Sequence, residues 1–197
     1  GRLNLLQNTL THTGILNIGT GSSLNIEADS ILNLDVDFTL NASATISVGD
    51  GSTSPVLGGI GILTNQGLVQ LVDGTLAGNL VNDAGAILIQ GVNNLNTGTL
   101  SFDNNATLGF LSSTDKFSNN NLIDINNSSI LTVDTGTLHN LSGGIINVFA
   151  AGTIDLVNGA VFQDDGVTNF GASPGTLTIG GDMLRGDASF MLFELGG

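Results

Sequence analysis

The 197-residue chain contains no cysteine, no tryptophan and no tyrosine. Without cysteine, the chain can form neither a disulfide nor a thiolate-bound metal site. The absence of tryptophan and tyrosine removes the aromatic platforms on which sugar-binding faces often stack their ligands. The chain's 9 phenylalanines are therefore expected mostly in the core, with Phe102, Phe110, Phe117 and Phe162 as examples.

Basic residues are nearly as rare. The chain contains three Lys and Arg residues in total but 17 Asp and Glu residues, and its formal net charge is −14. Binding to a polyanion needs a basic surface, so no nucleic-acid partner is expected and an anionic membrane surface is disfavoured. No apolar run approaches the roughly 18 residues of a membrane span, so no membrane insertion is expected either.

What the chain does contain is a repeat. Cut at Gly98, Asn121, Gly144 and Val167, the second half gives four rows of equal length. Apolar residues then align in four columns: Leu100, Ile123 and Ile146; Phe102, Ile125 and Val148; Leu108, Leu131, Ile154 and Leu177; Phe110, Val133, Leu156 and Ile179. A fixed period of roughly 20–50 residues built on short strands indicates a solenoid.

The same rhythm continues upstream with small slips. A first strand is predicted at Leu16/Ile18, Phe38/Leu40, Ile60/Ile62 and Leu80/Val81; a second at Leu24/Ile26, Ile46/Val48, Val69/Leu71 and Ile87/Ile89. A third, weaker apolar position recurs at Leu32/Leu34, Val56, Leu76, Leu95, Phe117, Leu138, Val161/Phe162 and Leu184. Each coil of about 20–23 residues thus holds three short strands. About nine coils, each advancing about 4.8 Å, make a rod on the order of 43 Å long.

A β-sandwich is the competing architecture, because Asp50-Gly51, Asp73-Gly74 and Asn158-Gly159 could close hairpins. Columns of like residues favour stacked coils instead, since equivalent side chains then lie over one another. A corner of the type Leu-x-Asn-x-Gly, as in LTNQG at 63–67 with LNTG at 95–98 as a close variant, suits sharp turns. We expect one all-β domain over residues 1–197, with residues 167–197 as its C-terminal coil and closing strand.

No catalytic motif is complete. Asp134-Thr135-Gly136 has the letters of an aspartic protease motif, but that chemistry needs two carboxylates and the motif occurs once. Asp164-Asp165 resembles the paired acids of β-helical polysaccharide hydrolases, without their histidine motif or basic residues. A polysaccharide hydrolase or lyase therefore stays an alternative to a non-enzymatic protein. An ice-binding or ligand-binding solenoid is another alternative, although the Thr-x-Thr pairs do not share one column.

No cofactor is expected, with calcium as the one exception considered. Clustered oxygens favour hard cations, and the weak candidate ligands are Asp35, Asp37, Asp164 and Asp165. Their spacing matches no calcium loop. The two histidines, His12 and His139, are expected to be solvated or packed rings.

The stretch from Gly171 to Asp182 (GASPGTLTIGGD), followed by residues 189–197 (SFMLFELGG), resembles the C-terminal part of bacterial autotransporter passenger domains and filamentous-haemagglutinin-type adhesins. That resemblance implies a right-handed parallel β-helix, export, and an adhesive or scaffolding role at the bacterial cell surface. It implies no catalytic residues. A cell-surface or glycan receptor is the corresponding partner. Asn169 departs from the pattern, because it falls in a column of Leu and Ile, and a distorted core is expected there.

The two ends suggest a further partner. Leu3 and Leu5 match the second strand of a coil and Leu10 the third, whereas Phe190, Leu192 and Phe193 supply a first strand. One C-terminal and one N-terminal end therefore add up to about one coil. We expect these residues to contact either another copy, stacked end to end in a filament, or the adjoining coils of a longer chain. The absence of an initiating Met favours a processed product or a fragment.

Overall fold

The computed structural model describes residues 1–51, 53–104, 106–126, 128–149, 151–157, 159–171 and 175–193. It contains 26 strands, numbered β1 to β26 in chain order, and no helix in the described residues. It follows that no described helix has the length and apolarity to cross a membrane. All the strand pairs found in these residues are parallel, which confirms the solenoid and excludes a sandwich of antiparallel hairpins.

The strands form three faces of a tube. Face I consists of β1 (Arg2–Leu6), β3 (Ser23–Glu27), β6 (Thr45–Val48), β9 (Leu68–Val72), β12 (Ala86–Gln90), β15 (Thr107–Phe110), β18 (Ile130–Val133), β21 (Thr153–Leu156) and β24 (Thr176–Ile179). Face II consists of β2 (Thr9–His12), β4 (Ile31–Leu34), β7 (Val56–Gly58), β10 (Thr75–Leu76), β13 (Asn94–Asn96), β16 (Lys116–Asn119), β19 (Thr137–Asn140), β22 (Val161–Asp164) and β25 (Asp182–Arg185). Face III consists of β5 (Phe38–Leu40), β8 (Ile62–Asn65), β11 (Asn79–Asp83), β14 (Thr99–Asp103), β17 (Leu122–Ile125), β20 (Ile145–Val148), β23 (Val167–Phe170) and β26 (Phe190–Phe193).

The chain visits the faces in the order I, II, III and repeats. The 26 strands, at three per coil, make eight complete coils and two further strands, close to the nine coils predicted. Face I is divided: β1 to β15 form a six-stranded sheet, and β18, β21 and β24 form a separate three-stranded sheet. Faces II and III are continuous sheets of nine and eight strands.

Alternate side chains of each strand fill the tube. On face I, one inward column runs through Leu24, Ile46, Val69, Ile87 and Leu108, paired rung by rung and almost completely buried. Branched side chains suit this pleated, crowded surface, and burying each stabilises the fold by about 1.5–3 kcal/mol relative to exposure. Four phenylalanines predicted for the core are all buried inside the tube: Phe102, Phe110, Phe117 and Phe162.

On face III, the inward residues in the first half of the chain differ from those predicted. Ile60 and Ile62 were predicted to point inward, but they are 80% and 41% exposed. Phe38 pairs instead with Leu63 across a coil that is longer than the predicted period, and Leu63 pairs with Leu80 across a coil that is shorter. A long coil followed by a short one keeps the average near the predicted period, which is why a constant spacing selected the wrong residues.

The strand predicted at Leu16 and Ile18 is absent, because residues 14–18 form no strand, although Ile18 is buried. A shift of one residue accounts for the remaining errors, because neighbouring side chains point to opposite sides of a strand. On face II, neighbouring residues occupy three inward positions that were predicted differently. Leu57 points inward instead of Val56, Asn94 and Asn96 instead of Leu95, and Met183 instead of Leu184. On face III, the inward residue beside Leu80 is Asn82, and Val81 points outward.

The core is not distorted at Asn169. Ile146 pairs with Thr168, which is buried, so Asn169 points outward and pairs with the outward Asn147. The coil is one residue shorter here than the rows into which the sequence was cut, and β23 keeps its register with β20. The prediction of a distorted core was therefore wrong, because the inward position belongs to Thr168, one residue before Asn169.

Candidate functional site

The acidic residues considered for calcium do not converge. Asp35 and Asp37 are both exposed to solvent. Asp37 Oδ1 accepts a hydrogen bond of 2.9 Å from the Ile62 amide. Asp164 is completely buried inside the tube, whereas Asp165 lies on the outside. In the described part of the chain, no group of three or more His, Cys, Asp or Glu side chains is placed to hold a metal ion.

The separation of Asp164 and Asp165 also bears on the hydrolase alternative. One carboxylate faces the interior and the other faces solvent, so the two do not line a common cleft. Asp134, in the Asp-Thr-Gly sequence, has a structural contact: its Oδ1 accepts hydrogen bonds from the amides of Thr135 (2.9 Å) and Phe110 (3.3 Å). The hydrogen bond from the Phe110 amide lies where the two sheets of face I separate, between β15 and β18.

The main polar feature is a column of buried side chains along the inside of face II, which we call the long ladder: Asn96, Asn119, Asn140 and Asp164. All four are completely buried, and they pair in register from coil to coil. Each Asn Nδ2 donates to the Oδ1 of the next rung, at 2.8 Å, 2.9 Å and 2.9 Å in chain order. An amide carries both a donor and an acceptor, so identical residues can link at the spacing of stacked strands.

The second hydrogen of each amide in the long ladder has an equally regular partner. The Nδ2 atoms of Asn96, Asn119 and Asn140 also donate to backbone carbonyls at 3.1–3.2 Å. The acceptors are Leu122, Ile145 and Val167, the first residues of β17, β20 and β23. The long ladder therefore stabilises the corner between faces II and III.

A short ladder does the same at the corner between faces III and I. Asn65 Nδ2 donates to Asn82 Oδ1 at 2.7 Å and to the Ala86 carbonyl at 3.1 Å, and Asn82 Nδ2 donates to the Thr107 carbonyl at 3.2 Å. Ala86 and Thr107 are the first residues of β12 and β15. Both ladders thus satisfy the carbonyl at which the next face begins.

Glycine follows every ladder residue except Asn119 within two to four positions, and the coils approach closely at these corners. A Cβ at Gly85 would lie 2.5 Å from the Asn65 carbonyl oxygen, and one at Gly144 would lie 2.5 Å from that of Asn119. Real Cβ contacts do not reach such distances. In the Leu-x-Asn-x-Gly corner at residues 63–67, a Cβ at Gly67 would lie 2.5 Å from the Ala44 carbonyl oxygen, so this corner combines an inward amide with a glycine that permits the close approach.

Asp164 ends the long ladder. Its Oδ1 accepts from Asn140, but its Oδ2 is buried and has no hydrogen-bond partner in the described residues. The residue that pairs with Asp164 in the next coil is Arg185, whose guanidinium donates instead to the Ser189 carbonyl at 3.0 Å. Asp164 therefore accepts a hydrogen bond from the preceding rung, but its side chain makes none to the next coil in the described residues.

Outside face II, His139 and Asp165 form a close pair. His139 Nε2 lies 2.6 Å from Asp165 Oδ2, and Gln163 Nε2 donates to the same oxygen at 3.0 Å. The hydrogen bond from His139 is the main reason that the pKa of Asp165 lies below its ordinary value. The other histidine, His12, packs edge-on against Phe38 with ring centroids 6.4 Å apart.

The residues predicted to form contacts at the ends lie on edge strands. Leu3 and Leu5 are on β1 and Leu10 is on β2, the first strands of faces I and II. Phe190, Leu192 and Phe193 are on β26, the last strand of face III, and each is more than half exposed. Both ends of the described rod therefore present apolar side chains together with unpaired strand edges.

The ladders were the feature that sequence reasoning missed. The sequence pattern predicts the recurring Asn as a turn residue outside the tube. The signal was present, because Asn65 lies two residues after the inward Leu63 and shares its side of the strand. The same parity relates Asn119 to Phe117 and Asn140 to Leu138.

Comparison with known proteins adds no relative: no family model, no curated protein and no solved structure matches this chain.

Proposed function

We propose that this chain is a non-catalytic, rod-shaped structural or adhesive protein of the bacterial cell surface. One observation carries the proposal: the interior of the tube is filled along its length by stacked apolar columns and amide ladders. Interior residues thus serve coil-to-coil packing, and other molecules meet the outer faces and the two ends.

The outer faces are suited to an exported rod. Their strand residues are mainly Thr, Ser, Asn and aliphatic side chains, and the net charge of −14 keeps parallel rods apart through repulsion. The resemblance of the C-terminal stretch to autotransporter passengers and haemagglutinin-type adhesins supports surface display; its residues 172–174 and 194–197 lie outside the described part of the chain. A cell-surface protein or glycan is the receptor class that this role requires.

The location can be tested on intact cells that produce the protein. Antibodies against the purified chain should label unpermeabilised cells, and external proteinase K should remove the signal while a cytoplasmic marker survives. Trypsin is a poor reagent for this purpose, because the chain has only three Lys and Arg residues. Label that appears only after permeabilisation would overturn the proposal.

The role can be tested with the isolated chain. Fluorescent protein should bind a glycan array or host-cell surface in a saturable manner, and unlabelled chain should compete. In parallel, the chain should release no reducing or unsaturated sugar from a panel of acidic and neutral polysaccharides. Cleavage of any member would favour the hydrolase or lyase alternative and overturn the non-catalytic proposal.

A further inference from the structure

Face I is interrupted at one coil boundary that faces II and III cross without a break. β15 and β18 lie in separate sheets, whereas β16 and β19 are paired on face II and β14, β17 and β20 are paired on face III. The inward side chains continue across this boundary, because Leu108 and Phe110 before it and Leu131 and Val133 after it are all buried. In the described residues the core is therefore continuous here, while the backbone pairing of face I is missing.

The backbone amides show the same interruption. At the other coil boundaries of face I, the first residue of each strand donates to a carbonyl of the preceding coil at 2.9–3.2 Å; these donors are Ser23, Thr45, Leu68, Ala86, Thr107, Thr153 and Thr176. Ile130, the first residue of β18, makes no such backbone hydrogen bond in the described part of the chain. The Oγ of Ser129, the residue before it, is buried and also has no hydrogen-bond partner there. The edge of β18 that faces β15 is thus unpaired at its start.

The turn after β18 joins the other end of this boundary through a side chain. It contains Asp134-Thr135-Gly136, the sequence with the letters of an aspartic protease motif. Asp134 Oδ1 accepts from the Phe110 amide of the preceding coil at 3.3 Å and from the Thr135 amide at 2.9 Å. Gly136 has a φ of +69°, and a Cβ there would lie 2.8 Å from the Phe110 ring. We call residues 134–136 the latch, since they hold the end of β15 where the two strands do not pair.

Opening face I at this boundary breaks fewer hydrogen bonds than opening it elsewhere. Between β9 and β12, for example, separation would break a pairing that runs from Leu68 to Val72. Between β15 and β18 there is no strand pair to break in the described residues, and the hydrogen bond from Phe110 to Asp134 is the one that opening must break. Local opening of a folded protein favours the places where the fewest interactions are lost.

The corner opposite face I is held closed at the same boundary. That corner lies between faces II and III, and it carries the long ladder. Asn119 Nδ2 donates across the boundary to Asn140 Oδ1 at 2.9 Å and to the Ile145 carbonyl at 3.2 Å. The boundary is therefore weak on one side of the tube and reinforced on the other.

We propose that the boundary between β15 and β18 is a hinge: the rod bends there by opening face I, the latch restrains the opening, and the corner with the long ladder serves as the axis. Two segments, β1 to β17 and β18 to β26, then change their angle relative to each other. This inference goes beyond the proposed function, because it concerns the shape of the rod and holds for any molecule that the outer faces bind.

Amide hydrogen exchange tests whether the boundary is unpaired in solution. After correction for intrinsic rates, the Ile130 amide should exchange at least about 100-fold faster than the amides of Thr107 and Thr153, its equivalents in the neighbouring coils. Equal protection of the three amides would mean that β15 and β18 pair in solution, and it would overturn the inference.

Distances between spin labels test the bending itself, and the absence of native cysteine allows specific labelling. One label pair spans the boundary on face I, at Gln70→Cys and Thr178→Cys; the matched pair spans it on face III, at Thr64→Cys and Asn169→Cys. Both pairs use outward residues separated by about five strand spacings, or roughly 24 Å. Electron–electron double resonance should give a broad distribution on face I, extended toward longer distances, and a narrow one on face III.

Variants of the latch test its role. Asp134→Ala removes the acceptor for the Phe110 amide, so the face I distances should lengthen further while the face III distances stay the same. Asp134→Asn keeps an Oδ1 acceptor and should behave like the parent chain. Asp155→Ala, which removes an outward carboxylate from the paired strand β21, is the matched control and should also leave both distributions unchanged.

The comparison of the two faces in the parent chain needs no latch variant, so it decides the matter even if Asp134→Ala does not fold. Distributions of equal width on faces I and III would overturn the hinge, and so would an Asp134→Ala chain that folds and matches the parent on face I. A straight, rigid rod displayed on cells would still support the proposed function.

Discussion

Replacing Asn119 with alanine should destabilise the rod strongly, because this residue is the centre of the long ladder. Its side chain makes three hydrogen bonds to neighbouring coils: it accepts from Asn96 at 2.8 Å and donates to Asn140 at 2.9 Å and to the Ile145 carbonyl at 3.2 Å. Two weaker local contacts join it to the backbone of Asn121, at 3.2 Å and 3.4 Å. At a net value of about 1 kcal/mol each, the three bonds contribute about 3 kcal/mol. The substitution also leaves Asn140 Oδ1 buried without its donor, so we expect a total loss of about 3–5 kcal/mol.

The neighbouring Asn120 provides a matched control, since it is the same residue type but exposed. Asn120→Ala should change the free energy of unfolding by less than about 0.5 kcal/mol. Both values can be measured by denaturant unfolding followed by circular dichroism, provided that the slope of each transition matches the parent chain.

A double-mutant cycle isolates the rung itself. Asn119→Ala and Asn140→Ala should show a coupling energy of about 0.5–3 kcal/mol, because each removes the other's partner. If Asn119→Ala falls within about 1 kcal/mol of Asn120→Ala, the ladder does not stabilise the fold and our reasoning about the buried amides fails.

Three other substitutions have expected outcomes. Asp164→Asn should stabilise the rod by about 1 kcal/mol, because the orphan Oδ2 is replaced by a donor where earlier rungs donate to a backbone carbonyl. Asp165→Asn should destabilise at neutral pH, since the carboxylate accepts from His139 and its pKa lies below its ordinary value; the difference from the parent should vanish as the pH falls through that lowered pKa. Gly144→Ala should cost about 1–3 kcal/mol through backbone overlap, whereas Gly171→Ala, with open space around its Cβ, should be nearly neutral.

Each of these can be read from unfolding curves. For Asp164, a loss of stability in the Asn variant would mean that the buried oxygen has a favourable environment that the donor disrupts. For Asp165, curves measured from neutral pH down through the carboxylate range decide the matter, and a difference that does not depend on pH contradicts the role of the charge. For Gly144, equal stability of both alanine variants would show that the coils can separate at the corner.

The fold was predictable in the second half because the coils there are nearly equal in length. Leu131, Ile154 and Leu177 pair rung by rung at the predicted period. Solenoid architecture follows directly from such columns, since stacking places each residue over its equivalent one period later.

The first half was less predictable because loop lengths vary there. The coil from Phe38 to Leu63 is long and the next, from Leu63 to Leu80, is short, so no single period finds both. Parity within the strand would have helped more than period, because inward residues must alternate. Ile62 and Leu63 are adjacent, and only one of them can face the core.

The buried ladders were hidden by the dual character of asparagine. The residue is common in turns, where its side chain bonds to local backbone, and it also stacks in parallel arrays. Asn96 and Asn119 are separated by the same spacing as the apolar columns, but composition alone assigns both to the surface. The absence of a strand at residues 14–18 was likewise invisible in the sequence, since their alternation is intact.

The hydrogen bonds of both backbone and ladders run along the axis of the tube, from each coil to the next. A force that pulls the two ends apart therefore acts on one coil boundary at a time. Each coil that detaches would release about 22 residues, or roughly 70 Å of extended chain, so stretching should proceed in regular mechanical steps. A rod stretched in this way would lengthen in increments and absorb work at every step.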